Sequence, residues 1–251
     1  MRCATILLSA VLSLAAGPAA PDTETLVLRG KPQVLRVYGT RGGPSVVVAS
    51  GDGGWVHLGP FVAEFLARRG YFVAGLDSRA YLASFTRGES ALSATDVASD
   101  FGAVADFASG GTTRPVLVGI SEGAALEVLA TAGGPTRSKV AGLIGLGMPD
   151  EAELGWRLRD AIIYITKGEP REPRFSTAAV IGRVAPLPVV AIHSTKDEYV
   201  PVDEVRRVMA SAGDPKQLWL IDAENHRFSG KERELEHKLL DAMAWVQSRP
   251  R

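Results

Sequence analysis

Apolar positions change period along this chain. Short unbroken apolar runs alternate with stretches in which apolar residues recur every three or four positions. TLVLR (Thr25–Arg29) and QVLRVYG (Gln33–Gly39) read as an opening antiparallel strand pair, joined by a turn at Gly30-Lys31-Pro32. SVVVAS (Ser45–Ser50) is a continuous apolar run of the kind expected in a central parallel strand. Pro60–Gly70 has helical spacing, with Gly70 as its stop. Tyr71–Ser78 is the next strand, and a helical pattern runs from about Leu92 to Ala108. RPVLVGIS (Arg114–Ser121) is a strand ending in a sharp turn, and EGAALEVLATA continues from it as a helix. Further strands are predicted at Lys139–Pro149, Pro188–Ser194 and Gln217–His226, the last two separated by a helix at about Val202–Ala212. A final helix, from about Lys231 to Val246, carries an apolar stripe that serves core packing.

Strands alternating with helices of this length predict an α/β fold: a mostly parallel central sheet with helices on both faces. Residues 150–187 break the rhythm. They contain the amphipathic run WRLRDAIIYIT (Trp156–Thr166) and the proline-containing GEPREPRF (Gly168–Phe175), and read as a small cap-like excursion over the sheet edge.

Composition narrows the picture little. The chain has 251 residues, 46% of them hydrophobic, enough for one sizeable core without staples. The 28 basic and 28 acidic residues leave no basic stripe for nucleic acid. The N-terminus says more. Met1-Arg2, an uncharged apolar run at Ala4–Ala16 and small residues at Gly17–Ala20 resemble a secretory signal peptide cut after Ala19. The expectation is a leader at residues 1–19, one α/β domain at 20–251, and a periplasmic or secreted location. Cys3 is the only cysteine, so the mature chain would hold no disulfide, thiol nucleophile or cysteine-bound metal.

Candidate chemistry begins at GISEG (Gly119–Gly123), a match to G-x-S-x-G. That motif lifts a serine hydroxyl above the sheet on a tight strand-to-helix turn. The pentapeptide is weakly specific in a chain with 27 glycines, but the apolar strand before it and the helix after it supply the required context. A serine needs a base, and acid then histidine should follow it along the chain. Asp197 lies in the loop after the strand ending near His193, and His226 lies in the loop after the next strand. Parallel strands would bring all three loops to one edge. Glu198, Asp150 and Asp222 are rival acids. Among the other histidines, His57 reads as a helix-approach residue, His193 as core, and His237 as part of a helix face.

SGDGGW (Ser50–Trp55) follows the first central strand and lacks the lysine of a P-loop or the spacing of a dinucleotide fingerprint. It fits an oxyanion loop better, with the N–H of Asp52 or Gly53 acting beside that of Glu122. A simple tight turn is the plain alternative. No metal or organic cofactor is implied.

Taken together these residues resemble the α/β-hydrolase superfamily over nearly all of the mature chain. Within it, Ser50–Trp55, Asp77-Ser78, Tyr81, Gly119–Gly123 and Asn225–Phe228 resemble the bacterial virulence domain VirJ or AcvB. That resemblance implies a periplasmic protein, some relatives being linked to hydrolysis of aminoacylated phosphatidylglycerol and some to type IV secretion. The chain departs from the family's elbow, G-Y-S-F-G-A-D, at Ile120, Glu122 and Ala125, and has Leu82-Ala83 where an aromatic pair follows the tyrosine. Glu122 beside the serine is expected to add negative potential and to favour cationic or neutral esters.

The expectation is therefore a serine hydrolase acting through an acyl-enzyme on a small-molecule or lipid ester, with an aminoacyl-phospholipid ester at a membrane surface as one candidate. A non-catalytic, secretion-associated binding protein on the same fold is the competing reading. An acyltransferase with the same triad is a third.

Overall fold

The structure is a computed structural model that describes residues 21–87, 91–111, 113–158 and 172–249. The expected leader lies outside these residues, as does most of the amphipathic run Trp156–Thr166. Eight strands form one sheet: β1 (Asp22–Leu28), β2 (Lys31–Tyr38), β3 (Ser45–Ala49), β4 (Phe72–Leu76), β5 (Val116–Ile120), β6 (Gly142–Leu146), β9 (Val189–Ser194) and β10 (Lys216–Ile221). Their order is β1-β2-β4-β3-β5-β6-β9-β10. β1 and β2 are antiparallel to each other, β2 is antiparallel to β4, and the strands from β4 to β10 run parallel.

Alternation within the strands builds a core on each face. Val46, Val48, Val116, Val118, Ile144, Leu146, Val190 and Ile192 face α1 (Leu58–Arg68) and the C-terminal helix α8 (Glu232–Gln247). Val47, Ala49, Leu117, Leu143, Val189 and Ala191 face α3 (Ala94–Ser109), α4 (Glu122–Thr131) and α7 (Val202–Ser211). Central strands are buried on both faces, which is why their sequences read as unbroken apolar runs.

Differences from the sequence reading are local. The expected strand Tyr71–Ser78 stops at Leu76. Asp77 then caps α2 (Ser78–Phe85), its carboxylate accepting the Ala80 N–H at 3.0 Å. β10 stops at Ile221 rather than continuing to His226, which frees the last five residues of that segment as a loop. A four-residue helix, α5 (Thr136–Lys139), precedes β6. The described parts of the 150–187 excursion form a two-stranded sheet, β7 (Glu151–Glu153) with β8 (Arg174–Ser176), followed by α6 (Thr177–Ile181). Ser93 caps α3 through a reciprocal box with Asp96. No helix among the described residues is long and apolar enough to cross a membrane.

Candidate active site

The turn between β5 and α4 is as tight as its sequence predicts. Ser121 sits at φ 51°, ψ −119°, a region that costs a non-glycine residue about 1–3 kcal/mol. A Cβ at Gly119 would lie 2.5 Å from the Ala124 nitrogen, and one at Gly123 would lie 2.5 Å from both the Ala49 and Ser50 carbonyl oxygens. Neither position tolerates a side chain without moving backbone. The Ser121 N–H is satisfied by the Leu146 carbonyl at 2.8 Å, which ties the elbow to β6. The N–H of Glu122, in the first turn of α4, has no backbone acceptor among the described residues.

His226 comes to the same sheet edge from the loop after β10. Its ring lies over Gly147, at the end of β6, where a Cβ would come within 2.5 Å of the ring's Cε1. Its Nδ1 is 2.6 Å from Asp197 Oδ2. The other Asp197 oxygen accepts the N–H groups of Tyr199 at 2.9 Å and Val200 at 2.8 Å, within its own loop. Burial pushes the Asp197 carboxyl up, but the His226 hydrogen bond and charge and the two N–H donors outweigh it, and its pKa ends below the ordinary value. An ionised carboxylate can only accept, so His226 donates from Nδ1, and in the neutral ring of that tautomer the lone pair is on Nε2.

Of the four candidate acids, Asp197 is the one whose side chain meets the imidazole. Glu198 instead accepts the His226 backbone N–H at 2.7 Å, fixing the loop. Asp150 Oδ1 accepts from Ser176 Oγ at 2.7 Å and the Ala178 N–H at 2.9 Å, holding the start of α6. Asp222 is exposed and pairs with Thr195 and Lys196.

Two contributors were not legible in the sequence. His193 is buried as expected of a core strand residue, yet its Nε2 lies 3.7 Å from Asp197 Oδ2 and donates to the Val200 carbonyl at 2.9 Å. Burial lowers its pKa, which favours the neutral ring. Tyr199 stands edge-on to the His226 ring, with centroids 5.5 Å apart. No spacing rule announces either contact, because both depend on how the 195–200 loop folds back.

The glycine loop is fixed by the residues after β4. Ser50 Oγ accepts the Ser78 N–H at 3.1 Å, and Asp77 Oδ2 accepts the Trp55 N–H at 3.2 Å. The Trp55 indole fills the space over Gly75, where a Cβ would come within 2.1 Å, and donates to the Tyr38 hydroxyl at 3.2 Å. The loop thereby reaches the elbow: a Cβ at Gly51 would be 3.4 Å from Ser121 Cβ. The N–H groups of Asp52 and Gly53 have no backbone acceptor among the described residues. Burial raises the Asp52 carboxyl, against the Gly53 N–H, the His226 ring, its own N–H and Arg79, which lower it.

Glu122 corrects one expectation. Its carboxyl is buried, accepts the Glu153 N–H at 2.6 Å, and so ties the elbow to β7. Burial holds its pKa well above the carboxylate range. The Glu153 N–H opposes that rise, and the Asp52 and Glu153 charges add to it. The site favours the proton, so the negative charge expected beside the serine is damped. Among the described residues no group of three or more His, Cys, Asp or Glu side chains gathers as a metal cage.

With this geometry in view, likeness to known proteins is informative. Solved structures share the fold at low identity. The esterase domain of a Rhodothermus marinus protein is 16% identical, with 90% of this chain and 97% of that one covered and a TM-score of 0.60. Est1E from Butyrivibrio proteoclasticus is 14% identical, with 90% and 99% covered and a TM-score of 0.65. A membrane phospholipase A described as a bacterial virulence factor is 14% identical, with 92% and 88% covered and a TM-score of 0.62. No curated protein matches the chain in sequence. The fold is that of the α/β hydrolases. The model of the bacterial virulence protein (VirJ) family matches residues 44–245, and the chain belongs to that family.

Proposed function

We propose that this protein is a serine hydrolase of carboxylic esters, with Ser121, His226 and Asp197 as its triad. The observation that carries the proposal is the 2.6 Å contact between His226 Nδ1 and Asp197, made on the sheet edge where Ser121 occupies a strained elbow. In this reading His226 Nε2 takes the Ser121 proton as the serine oxygen attacks the ester carbonyl. The N–H groups of Glu122 and of Asp52 or Gly53 hold the developing oxyanion. The leaving alcohol departs with the proton from His226. Water, deprotonated by the same ring, then releases the acid and restores Ser121. Asp197 keeps the ring's Nδ1 proton in place and stabilises the imidazolium.

The leader-like N-terminus supports a secreted or periplasmic chain of one hydrolase unit, residues 20–251. A small-molecule or lipid ester is the proposed substrate class. The lipid option is supported by the structural likeness to a phospholipase A, and an aminoacyl-phospholipid ester at a membrane surface is implied by the family resemblance. The test is a panel of short-chain, lipid and aminoacyl esters offered to wild type and to Ser121→Ala. Turnover of at least one class by wild type, lost in the variant, is expected. No turnover of any class favours a binding protein that keeps the hydrolase fold, and equal turnover by both chains removes Ser121 as the nucleophile.

A further inference from the structure

Arg79 lies beside the glycine loop and takes no part in the chemistry above. It is half-buried in the first turn of α2, directly after the Asp77-Ser78 pair that anchors the loop. Its guanidinium rests on two surfaces. One is Gly54, at φ 86°, where a Cβ would come within 2.9–3.1 Å of the guanidinium atoms. The other is the Trp156 ring, whose centroid is 5.5 Å from Arg79 Cζ. Both supports are themselves fixed. Gly54 donates its N–H to the Gly51 carbonyl at 3.0 Å, and the Trp156 N–H donates to Thr86 Oγ1 at 3.0 Å.

Among the described residues no hydrogen-bond acceptor meets the guanidinium N–H groups, which leaves that edge uncommitted. Among the described residues no carboxylate comes within ion-pair distance of Arg79, although Arg29, Arg36, Arg41, Arg68, Arg157, Arg174 and Arg206 each have one. Asp52, one residue past Gly51 at the elbow, feels the Arg79 charge from beyond that distance. Gly54, at a φ that side-chain-bearing residues rarely adopt, lets the guanidinium pack close against the glycine-loop backbone.

We infer that Arg79, held between Gly54 and Trp156, is a binding site for an anionic group carried by the ester substrate, a phosphate or a carboxylate. The inference rests on the hydrolase reading for the word substrate, but not for the site itself. A planar fork of N–H donors fits either oxyanion in bidentate fashion. The inference also reverses the charge preference expected from Glu122, whose carboxyl favours its proton in the fold.

The test is calorimetric titration of the Ser121→Ala chain, in which no turnover intervenes, with two ester pairs. One pair is phenyl acetate and phenyl hydrogen succinate; the other is acetylglycerol and acetylglycerol phosphate. In at least one pair the anionic member is expected to bind about tenfold more tightly. Arg79→Gln in the same background should erase that margin, and Arg79→Lys should keep part of it. The pair that shows the margin identifies which end of the ester carries the anion. Equal binding within both pairs, no binding, or a margin unchanged in Arg79→Gln overturns the inference and leaves Arg79 as packing for Trp156. Hydrolysis of a neutral ester by wild type is read separately, so failure of the hydrolase reading is distinguishable from failure of this site.

Discussion

Asp197 shows how much of the site one side chain organises. Its two oxygens take two loop N–H groups and the His226 ring, so loop shape and imidazole orientation depend on a single carboxylate. Asp197→Asn presents an amide to Nδ1 and favours the wrong tautomer, so kcat is expected to fall by about 10³–10⁴-fold with the fold retained. The same residue gives a stability prediction. Its folded pKa is below the unfolded value of about 3.9, so its contribution is present above that pH and is lost as pH falls through the folded pKa. Urea unfolding should show wild type more stable than Asp197→Asn at pH 6, with the gap closing toward pH 3. A gap independent of pH would contradict the assignment. Glu127 should behave oppositely. It is buried on α4, its Oε1 has no hydrogen-bond partner among the described residues, and burial raises its pKa well above the ordinary value. Its protonated form is native-compatible below the unfolded pKa, and stability is lost as pH rises through the folded one. Glu127→Met should therefore raise the urea midpoint at pH 8 and gain less at pH 4. At this scale the sequence was partly readable. Ser121 ended a predicted strand and Asp197 followed one, whereas the strand expected to run to His226 stops at Ile221, and Glu198 and His193 acquire their contacts only through the fold of the 195–200 loop.

At the scale of elements, the glycine loop and the segment after β4 form one device. Ser50 holds Ser78, Asp77 holds Trp55, and Trp55 fills the face of Gly75. This explains why the stretches SGDGGW and DS read together as a marker: each supplies the other's hydrogen-bond partner. Gly75→Ala would drive a Cβ into the indole, at 2.1 Å from Trp55 Cη2, and should cost about 1–3 kcal/mol of stability by thermal or urea unfolding. Esterase activity should fall beyond that loss of folded protein, because the loop's N–H groups move with the indole. Unchanged activity per folded molecule would separate the loop from the oxyanion. The strands were legible because their apolar runs are short and bounded by glycine or proline. α2 was not, since only Asp77 separates it from β4 and its eight residues make little more than two turns, too few for a helical period to register. β7 and β8 have three residues each, too few for an alternation to register.

At the scale of the whole molecule, parallel strands carry the argument. Six strands running in one direction deliver the loops after β3, β5, β6, β9 and β10 to a common edge, and the elbow, acid, histidine and glycine loop all arrive there. Order along the chain was enough to expect that meeting; strand order and the 150–187 topology were not readable, because neither leaves a local period. The leader expectation also belongs here. Intact mass of the chain recovered from a periplasmic extract should correspond to a start at Ala20, two residues before β1 begins at Asp22, and a retained Met1 would contradict secretion by cleavage. The central claim is that Ser121 is the nucleophile, activated by His226 and Asp197. Peptide mapping after treatment of the folded protein with a fluorophosphonate tests it most directly. The account predicts one adduct, on Ser121, formed much more slowly in Asp197→Asn and absent in Ser121→Ala. An adduct on another residue, or none on wild type, would contradict it.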